Sequence, residues 1–245
     1  MRKFGLIGEH LPHSFSGKYF AGKFRREGIE GCEYSLYELA AIDELEQLLS
    51  STPELEGFNV TIPYKQQVIK FLSSLSPEAE AVGAVNCVKR EADGALVGYN
   101  TDVVGLRSSL LDLLSGERPT RALILGTGGA ALAAEYILRE LDIEYKLVSR
   151  QGGEWRLNYS EVTPDVISDN KLIINATPLG TYPNTSTAPE IPYEALTSNH
   201  YLFDLVYNPP LTKFLESGQK QGAKVKNGSE MLIGQAEAAW MIWNQ

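Results

Sequence analysis

Ser14 and Ser16 place two hydroxyls one residue apart, a spacing at which both can donate to a single carboxylate. Asn59, Thr61 and Lys65 form a second polar cluster, and Asn86, Asn100 and Asp102 a third. Carboxamides both donate and accept, so they suit the hydroxyl groups of a ligand. Lys65 and Asp102 are the natural proton-handling pair. Reducing a ketone needs a hydride at carbon and a proton at oxygen, and an ammonium beside the carbonyl can polarise it and supply that proton. A neighbouring carboxylate would hold the ammonium in place. Each residue also has an ordinary structural reading: Ser14 and Ser16 as turn or helix-capping residues, Lys65 as a solvated helix residue, Asp102 as an N-cap. Taken one at a time, the residues leave that choice open.

Gly126-Thr127-Gly128-Gly129-Ala130-Ala131 carries a different chemistry. It lies between an apolar run and an Ala-rich segment, where a glycine loop joins a buried strand to a helix. The first glycine permits a tight turn, the second lets a pyrophosphate approach the backbone, and a small third residue lets helix and strand pack closely. Free N–H groups and the helix dipole then face phosphate oxygens. The next apolar run ends in Ser149-Arg150-Gln151. An acid that would hold the ribose hydroxyls of NAD is missing there, and a guanidinium that can pair with a 2′-phosphate is present, which favours NADP. A solvated surface arginine is the alternative.

These residues need elements to position them. Lys3–Ile7, Tyr34–Tyr37 and Gly57–Ile62 read as strands, and Asp93-Gly94 joins Val85–Arg90 to Ala95–Tyr99 as a hairpin. His13–Gly17 reads as a polar turn; Lys18–Glu27, Asp43–Ser50, Tyr64–Leu72 and Asn100–Leu114 have helical spacing. Each polar cluster thus falls at or just past a strand end, where open α/β sheets place ligands. The pattern resets at Ser115-Gly116-Glu117-Arg118-Pro119, read as a boundary. Strands at Arg121–Leu125, Tyr145–Val148, Leu172–Asn175 and Tyr201–Leu205 then alternate with helical or looping segments, the signature of a parallel sheet with crossover helices. Ser229–Trp243 reads as an amphipathic helix.

The bulk numbers set limits. The chain has 245 residues, 43% of them hydrophobic, enough for two small domains with cores. A net charge of −9, from 22 basic and 31 acidic residues, argues against nucleic-acid binding, which needs a basic face. Cys32 and Cys87 form no CxxC pair and fit a reducing compartment; His10, His13 and His200 lack metal-ligand spacing, so no metal is expected. The apolar run near Phe4 is too short for a signal-peptide core and no run reaches membrane-span length, so a cytoplasmic protein without membrane partners is expected.

In their order and spacing, several motifs resemble the shikimate dehydrogenase family. They are Gly5-Leu6-Ile7-Gly8, His13-Ser14-Phe15-Ser16, Gly57-Phe58-Asn59-Val60-Thr61-Ile62-Pro63-Tyr64-Lys65, Gly83-Ala84-Val85-Asn86 and Gly98-Tyr99-Asn100-Thr101-Asp102. After the glycine loop come Asn175-Ala176-Thr177-Pro178-Leu179-Gly180, Asp204-Leu205-Val206-Tyr207-Asn208-Pro209 and Gly228-Ser229-Glu230-Met231-Leu232 with Gln235. The match runs from Gly5 to Gln235. It implies an α/β fold of two domains: a substrate-binding catalytic domain at 1–102, and a Rossmann-like, doubly wound NADP-binding domain at 103–228. The C-terminal helix, 229–245, returns to the first.

The resemblance also implies roles. Ser14 and Ser16 would hold the carboxylate of shikimate or 3-dehydroshikimate, Thr61, Asn86, Tyr207 and Gln235 would contact the substrate, and Lys65 and Asp102 would be the catalytic pair. Gly126, Thr127, Gly128, Gly129 and Ala130 would hold the pyrophosphate, and Ser149 and Arg150 the adenosine end. Asn175, Ala176 and Thr177 would line the cofactor side, with Val206 and Gly228 near the nicotinamide. The implied protein is a monomer or homodimer. Ser149 and Gln151 depart from the family's Asn and Thr, and Gly152-Gly153-Glu154 lacks its second basic residue, which keeps NAD(H) open as a weaker alternative. Gly17 replaces a common proline and Cys87 a usual threonine. The rival readings are a quinate/shikimate dehydrogenase of broader specificity, a non-catalytic sensor of the same fold and a methylene-folate dehydrogenase.

Overall fold

The apolar run after Arg2 forms the first strand, β1 (Arg2–Gly8), and from it the chain builds a mixed sheet. In order follow α1 (Phe15–Glu27), β2 (Cys32–Glu38), α2 (Leu45–Ser51), β3 (Leu55–Val60), β4 (Ser74–Leu75), α3 (Pro77–Val82), β5 (Cys87–Arg90) and β6 (Leu96–Tyr99). The computed structural model describes residues 1–11 and 14–245, so His13 of the expected polar turn lies outside the described residues. Two compact units emerge: residues 1–101 with 236–245, and residues 102–235.

In the first unit the strand order is β2-β1-β3-β5-β6-β4. β1 pairs in parallel with β2 and β3, while β3-β5 and β5-β6 are antiparallel. Both sheet faces are covered, as a three-layer domain requires. One face carries Ile7, Leu55, Phe58 and Val60 against Leu45 of α2 and Ala79 of α3. The other carries Phe4 and Cys87 against Phe20 and Phe24 of α1 and against Ala236, Ala239 and Trp243.

The second unit opens with α4 (Asp102–Leu114) and continues with β7 (Arg121–Leu125), α5 (Gly129–Glu140), β8 (Glu144–Ser149), β9 (Arg156–Asn158), α6 (Pro164–Asp169), β10 (Leu172–Asn175), β11 (Tyr201–Asp204), α7 (Lys213–Lys220) and β12 (Lys224–Lys226). The last helix, α8 (Ser229–Trp243), begins in this unit and ends in the first. The six strands run in the order β12-β11-β10-β7-β8-β9, all parallel. Read from β9, that is the 3-2-1-4-5-6 order of the doubly wound dinucleotide-binding sheet, with its switch point between β7 and β10.

Several sequence expectations are corrected. α1 starts at Phe15, so Ser16 is helical rather than part of a turn. The helix expected over Tyr64–Leu72 is only a short 3-10 segment, Gln67–Phe71. The carbonyl of Lys65 is taken by Val85 N–H at 2.7 Å, and Ile69 N–H turns to Gln66 O, three residues back. An α-helical ladder would need the Lys65 carbonyl at that step. β3 stops at Val60: Thr61 N–H makes the last ladder bond, to Ile7 O, and Pro63 has no N–H to continue. α4 packs on α5, β11 and β12, so the division between units falls before this helix and not at 115–119. α8 is apolar around its circumference rather than amphipathic: Ala236, Ala239 and Trp243 are buried while Ile233 and Met241 are exposed.

Candidate active site

In the first unit the polar clusters meet at the carboxyl ends of β1 and β3. Ser14 is the N-cap residue of α1 but makes no side-chain capping bond, and Ser16 is buried in the first turn. Asn59, near the end of β3, is buried; its Nδ2 donates to Asn86 O at 3.1 Å and its Oδ1 accepts from the Tyr34 hydroxyl at 2.8 Å. Ser16 neighbours the Tyr34 phenol and pulls its pKa down, against the larger effect of burial. Asn86 Oδ1 accepts from Thr101 N at 2.6 Å and from Thr101 Oγ1 at 3.2 Å. Asn100 Nδ2 donates to Ala84 O at 2.9 Å. Thr61 and Lys65 flank a turn closed by Tyr64 N–H on Thr61 O at 2.9 Å. Beneath it the Tyr64 hydroxyl donates to Leu39 O at 2.6 Å.

A hydrogen-bonded line thus runs from Tyr34 through Asn59 to the main-chain carbonyl of Asn86, which also accepts from Val60 N–H, and the Asn86 side chain extends it to Thr101. The line uses the carbonyl of the Asn86 side chain and leaves its Nδ2 to other partners. Tyr34 was invisible as a site residue in the sequence, where it is one aromatic in a strand, 25 residues before Asn59. Burial pushes its phenol well above the ordinary tyrosine range, so it remains a donor.

In the second unit the glycine loop follows β7. Gly126 has φ 111°, and a Cβ there would press on the Ala176 carbonyl, so the position needs glycine. Gly128, the N-cap of α5, has open space where a Cβ would be. Thr127 is exposed, and Gly129 and Ala130 open the helix. Exposed backbone at the start of a twelve-residue helix, over the sheet's switch point, fits a pyrophosphate.

Asn175, Ala176 and Thr177 lie across that switch point at the end of β10, with Ala176 N–H on Leu125 O at 2.8 Å. Asn175 Oδ1 accepts from Thr177 N at 3.1 Å and Oγ1 at 2.6 Å, while its Nδ2 donates to Asp204 Oδ1 at 2.9 Å. Asp204 is buried and also accepts from Val206 N at 3.0 Å and Thr212 Oγ1 at 2.5 Å. Burial raises its carboxyl to about 6 against the pull of those three bonds. Asp204 and Thr212 are the supports that sequence reasoning missed. Asp204 did stand in a motif, but nothing in linear order links it to Asn175.

Gly228 N–H bonds Val206 O at 3.2 Å, and a Cβ at Gly228 would overlap Leu205 O, so close backbone approach explains this glycine. Ser149 ends β8, and Arg150 is exposed just beyond it, its carbonyl held by Asn158 Nδ2 at 2.9 Å. Tyr207 is half-buried, and burial raises its phenol. Gln235 is buried on α8, with Nε2 on Leu232 O at 3.0 Å. Asp102 is buried as the first residue of α4.

Buried His200 is structural: Nδ1 accepts from Thr197 N and Nε2 donates to Ile167 O, each at 3.0 Å, the neutral tautomer that burial favours. Among the described residues no cluster of three His, Cys, Asp or Glu could hold a metal, and no helix is long and apolar enough to cross a membrane.

Residues 6–88 match the family model of the shikimate dehydrogenase substrate binding domain. A shikimate dehydrogenase (NADP(+)) of Clostridium beijerinckii is 39% identical, over 100% of this chain and 93% of its own. The solved shikimate 5-dehydrogenase of Thermus thermophilus, in complex with NADP(H) and shikimate, superposes with TM-score 0.83 at 30% identity, covering 99% of this chain and 93% of that one. A quinate dehydrogenase of Corynebacterium glutamicum in complex with NAD gives TM-score 0.87 at 25% identity, covering 99% and 93%.

Proposed function

The chain belongs to the shikimate dehydrogenase family, and on that footing we propose that it interconverts 3-dehydroshikimate and shikimate with NADP(H). The observation that carries this reading is the full-length likeness to a relative of that name, joined to a glycine loop at the switch point of a 3-2-1-4-5-6 sheet. The domain roles follow the same reading: residues 1–102 with 229–245 take substrate, and residues 103–228 take cofactor. The protein acts in the cytoplasm as a monomer or homodimer, without nucleic-acid, membrane or metal partners.

Ser14 and Ser16 bind the substrate carboxylate, and Thr61, Asn86, Tyr207 and Gln235 bind the ring and its hydroxyls. Asn86 suits that task, because its side-chain carbonyl is already spent on Thr101 and its Nδ2 is the end left to donate. Lys65 polarises the ketone and passes a proton to its oxygen; Asp102 holds the ammonium. The nicotinamide, when bound, supplies the hydride for reduction. Gly126 to Ala130 receive the pyrophosphate, Ser149 and Arg150 the adenosine end, and Asn175, Ala176, Thr177, Val206 and Gly228 line the cofactor side.

A second reading, a quinate/shikimate dehydrogenase that also uses NAD, is favoured by one feature. Arg150 lacks the flanking Asn, Thr and second basic residue that would reinforce a 2′-phosphate site.

The deciding experiment follows absorbance at the reduced-nicotinamide band, with shikimate or quinate and NADP or NAD in all four combinations. Turnover with shikimate and NADP well above the others supports the first reading; comparable rates with quinate or NAD support the second. No turnover with intact cofactor binding would sink both in favour of a sensor. Lys65→Ala should cut kcat by roughly three orders of magnitude with NADP affinity unchanged, since it removes an interaction made at the reacting atoms. Near-normal kcat in that variant would remove Lys65 from the mechanism.

A further inference from the structure

We propose that Asn227 is a positioning residue for the nicotinamide: its carboxamide ties the loop that carries Val206 and Tyr207 to the start of α8. The inference rests on the shikimate dehydrogenase reading, which gives Val206 and Gly228 to the nicotinamide and Tyr207 to the substrate. It adds a residue that reading does not contain.

The loop 205–210 follows β11 and is held at both ends. At its start Leu205 N–H bonds Asn175 O and Val206 N–H bonds Asp204 Oδ1, each at 3.0 Å. Pro209 and Pro210 have no N–H, so across them the backbone offers only carbonyls as handles. Just before them Asn208 O accepts from Tyr182 N–H at 3.0 Å, and Pro210 O accepts from Asn227 Nδ2 at 2.8 Å.

The other end of the Asn227 carboxamide grips α8. Its Oδ1 accepts at 3.1 Å from the N–H of Ser229, the first residue of that helix. Both partners are main-chain groups of fixed polarity, because an amide N–H only donates and a proline carbonyl only accepts. The carboxamide therefore has one correct orientation; turned over, it would break both bonds and set oxygen against oxygen.

The bond to Ser229 alone is a local turn that asks nothing of the loop. The bond to Pro210 spans 17 residues and serves no helix. Gly228 lies beside Asn227: its N–H bonds Val206 O at 3.2 Å, and its carbonyl takes Leu232 N–H at 2.9 Å in the first turn of α8. A single bond at Val206 leaves the loop free to pivot about it. The second tie, at Pro210, removes that freedom, so Val206 and Gly228 keep one spacing for the ring between them. Hydride transfer is steep in geometry, and a displacement of about 1 Å can cost on the order of a hundredfold in rate.

The experiment is a single-turnover measurement of NADPH oxidation by 3-dehydroshikimate on the full chain, in the parent, Asn227→Asp and Asn227→Ser. Thermal unfolding and the Kd of adenosine 2′,5′-bisphosphate, a probe with the adenosine end and no nicotinamide, are measured alongside. Both variants keep an acceptor for Ser229 N–H. Aspartate has no donor for Pro210 O, and the serine hydroxyl is too short to span both partners. Aspartate adds a charge that suits a helix N-terminus, and serine adds none. The expected result is a hydride-transfer rate lowered on the order of tenfold in both variants, with Tm and bisphosphate Kd unchanged. Deuterium in place of the transferred hydrogen should slow that phase in every protein, which marks it as hydride transfer. A residue that only capped α8 would not move the rate while the cap is kept. Should Asn227→Ser fail to fold, Asn227→Asp carries the test at high salt, where its added charge is screened. An unchanged rate in both variants, a loss confined to Asn227→Asp, or a loss of bisphosphate affinity equal to the loss of rate would overturn the inference while leaving the reaction assignment intact. A parent protein that oxidises no NADPH with 3-dehydroshikimate would instead remove the reaction assignment, and this inference with it.

Discussion

At the scale of single residues, the two buried polar networks are opposite in kind. The line from Tyr34 to Thr101 is neutral throughout, so it needs no proton balance. The network around Asp204 contains a titratable group in a desolvated place, and it should make stability depend on pH. The folded-state value of Asp204, about 6, lies above its ordinary value of 3.8. The folded protein therefore favours the protonated acid. The contribution of this group to stability is fully present below pH 4 and is lost as pH rises through 6. The full swing is about 3 kcal/mol for a shift of this size. Asp204→Asn retains the shape and cannot ionise. Urea unfolding of parent and variant between pH 4 and 7 should show the variant gaining on the parent as pH rises; a constant difference across that window would mean that Asp204 stays charged in the fold.

At the scale of elements, close helix contact decides what the polar residues can rely on. Within the second unit α4 and α8 meet at glycines: a Cβ at Gly105 would overlap Met231 O, and one at Gly234 would sit 3.1 Å from Gly105 Cα. Gly105→Ala gains roughly 1 kcal/mol of helix propensity. Against that stands an overlap with a backbone carbonyl, which cannot rotate away as a side chain could, and overpacking of this kind costs about 1–3 kcal/mol. The clash should win. The variant should lower the Tm by several degrees, and kinetic effects should be sought there as well, because α4 opens with Asp102 and α8 carries Gln235. A raised Tm would show that the helices can part without cost.

At the scale of the whole molecule, the chain's last ten residues complete the core of its first unit. Trp243 stacks on Phe4 with centroids 4.9 Å apart, its Nε1 donates to Val88 O at 3.0 Å, and it fills the space that Gly57 leaves by lacking a Cβ. Glu237 of the same helix pairs with the buried Lys23 at 2.8 Å and accepts from Tyr19. Trp243→Ala should cost about 3–5 kcal/mol, and the loss should be local. Amide exchange in β1, β3 and β5 should accelerate far more than in β7, β10 and β11, whose core contains none of these side chains. Equal acceleration in both sheets would show that the units unfold as one.

Strand, turn and loop chemistry were legible in the sequence because they rest on neighbours along the chain. The glycine loop, the Asp93-Gly94 hairpin, the parallel strands of the second unit and the polar strand ends all follow from local period and backbone freedom. The family was legible too, since its motifs keep their order through the chain. What the linear order could not hold was decided by contacts between distant segments. The 3-10 segment at Gln67–Phe71 replaces a helix because Val85, twenty residues away from Lys65, claims its carbonyl. Tyr34 gains a buried partner because β1 holds β2 and β3 in one sheet, which brings its hydroxyl to Asn59. Asp204 acquires its raised value because strand pairing buries it beside Asn175. Hydrogen-bond partners and burial are properties of the assembled sheets, so only the tertiary structure could assign them.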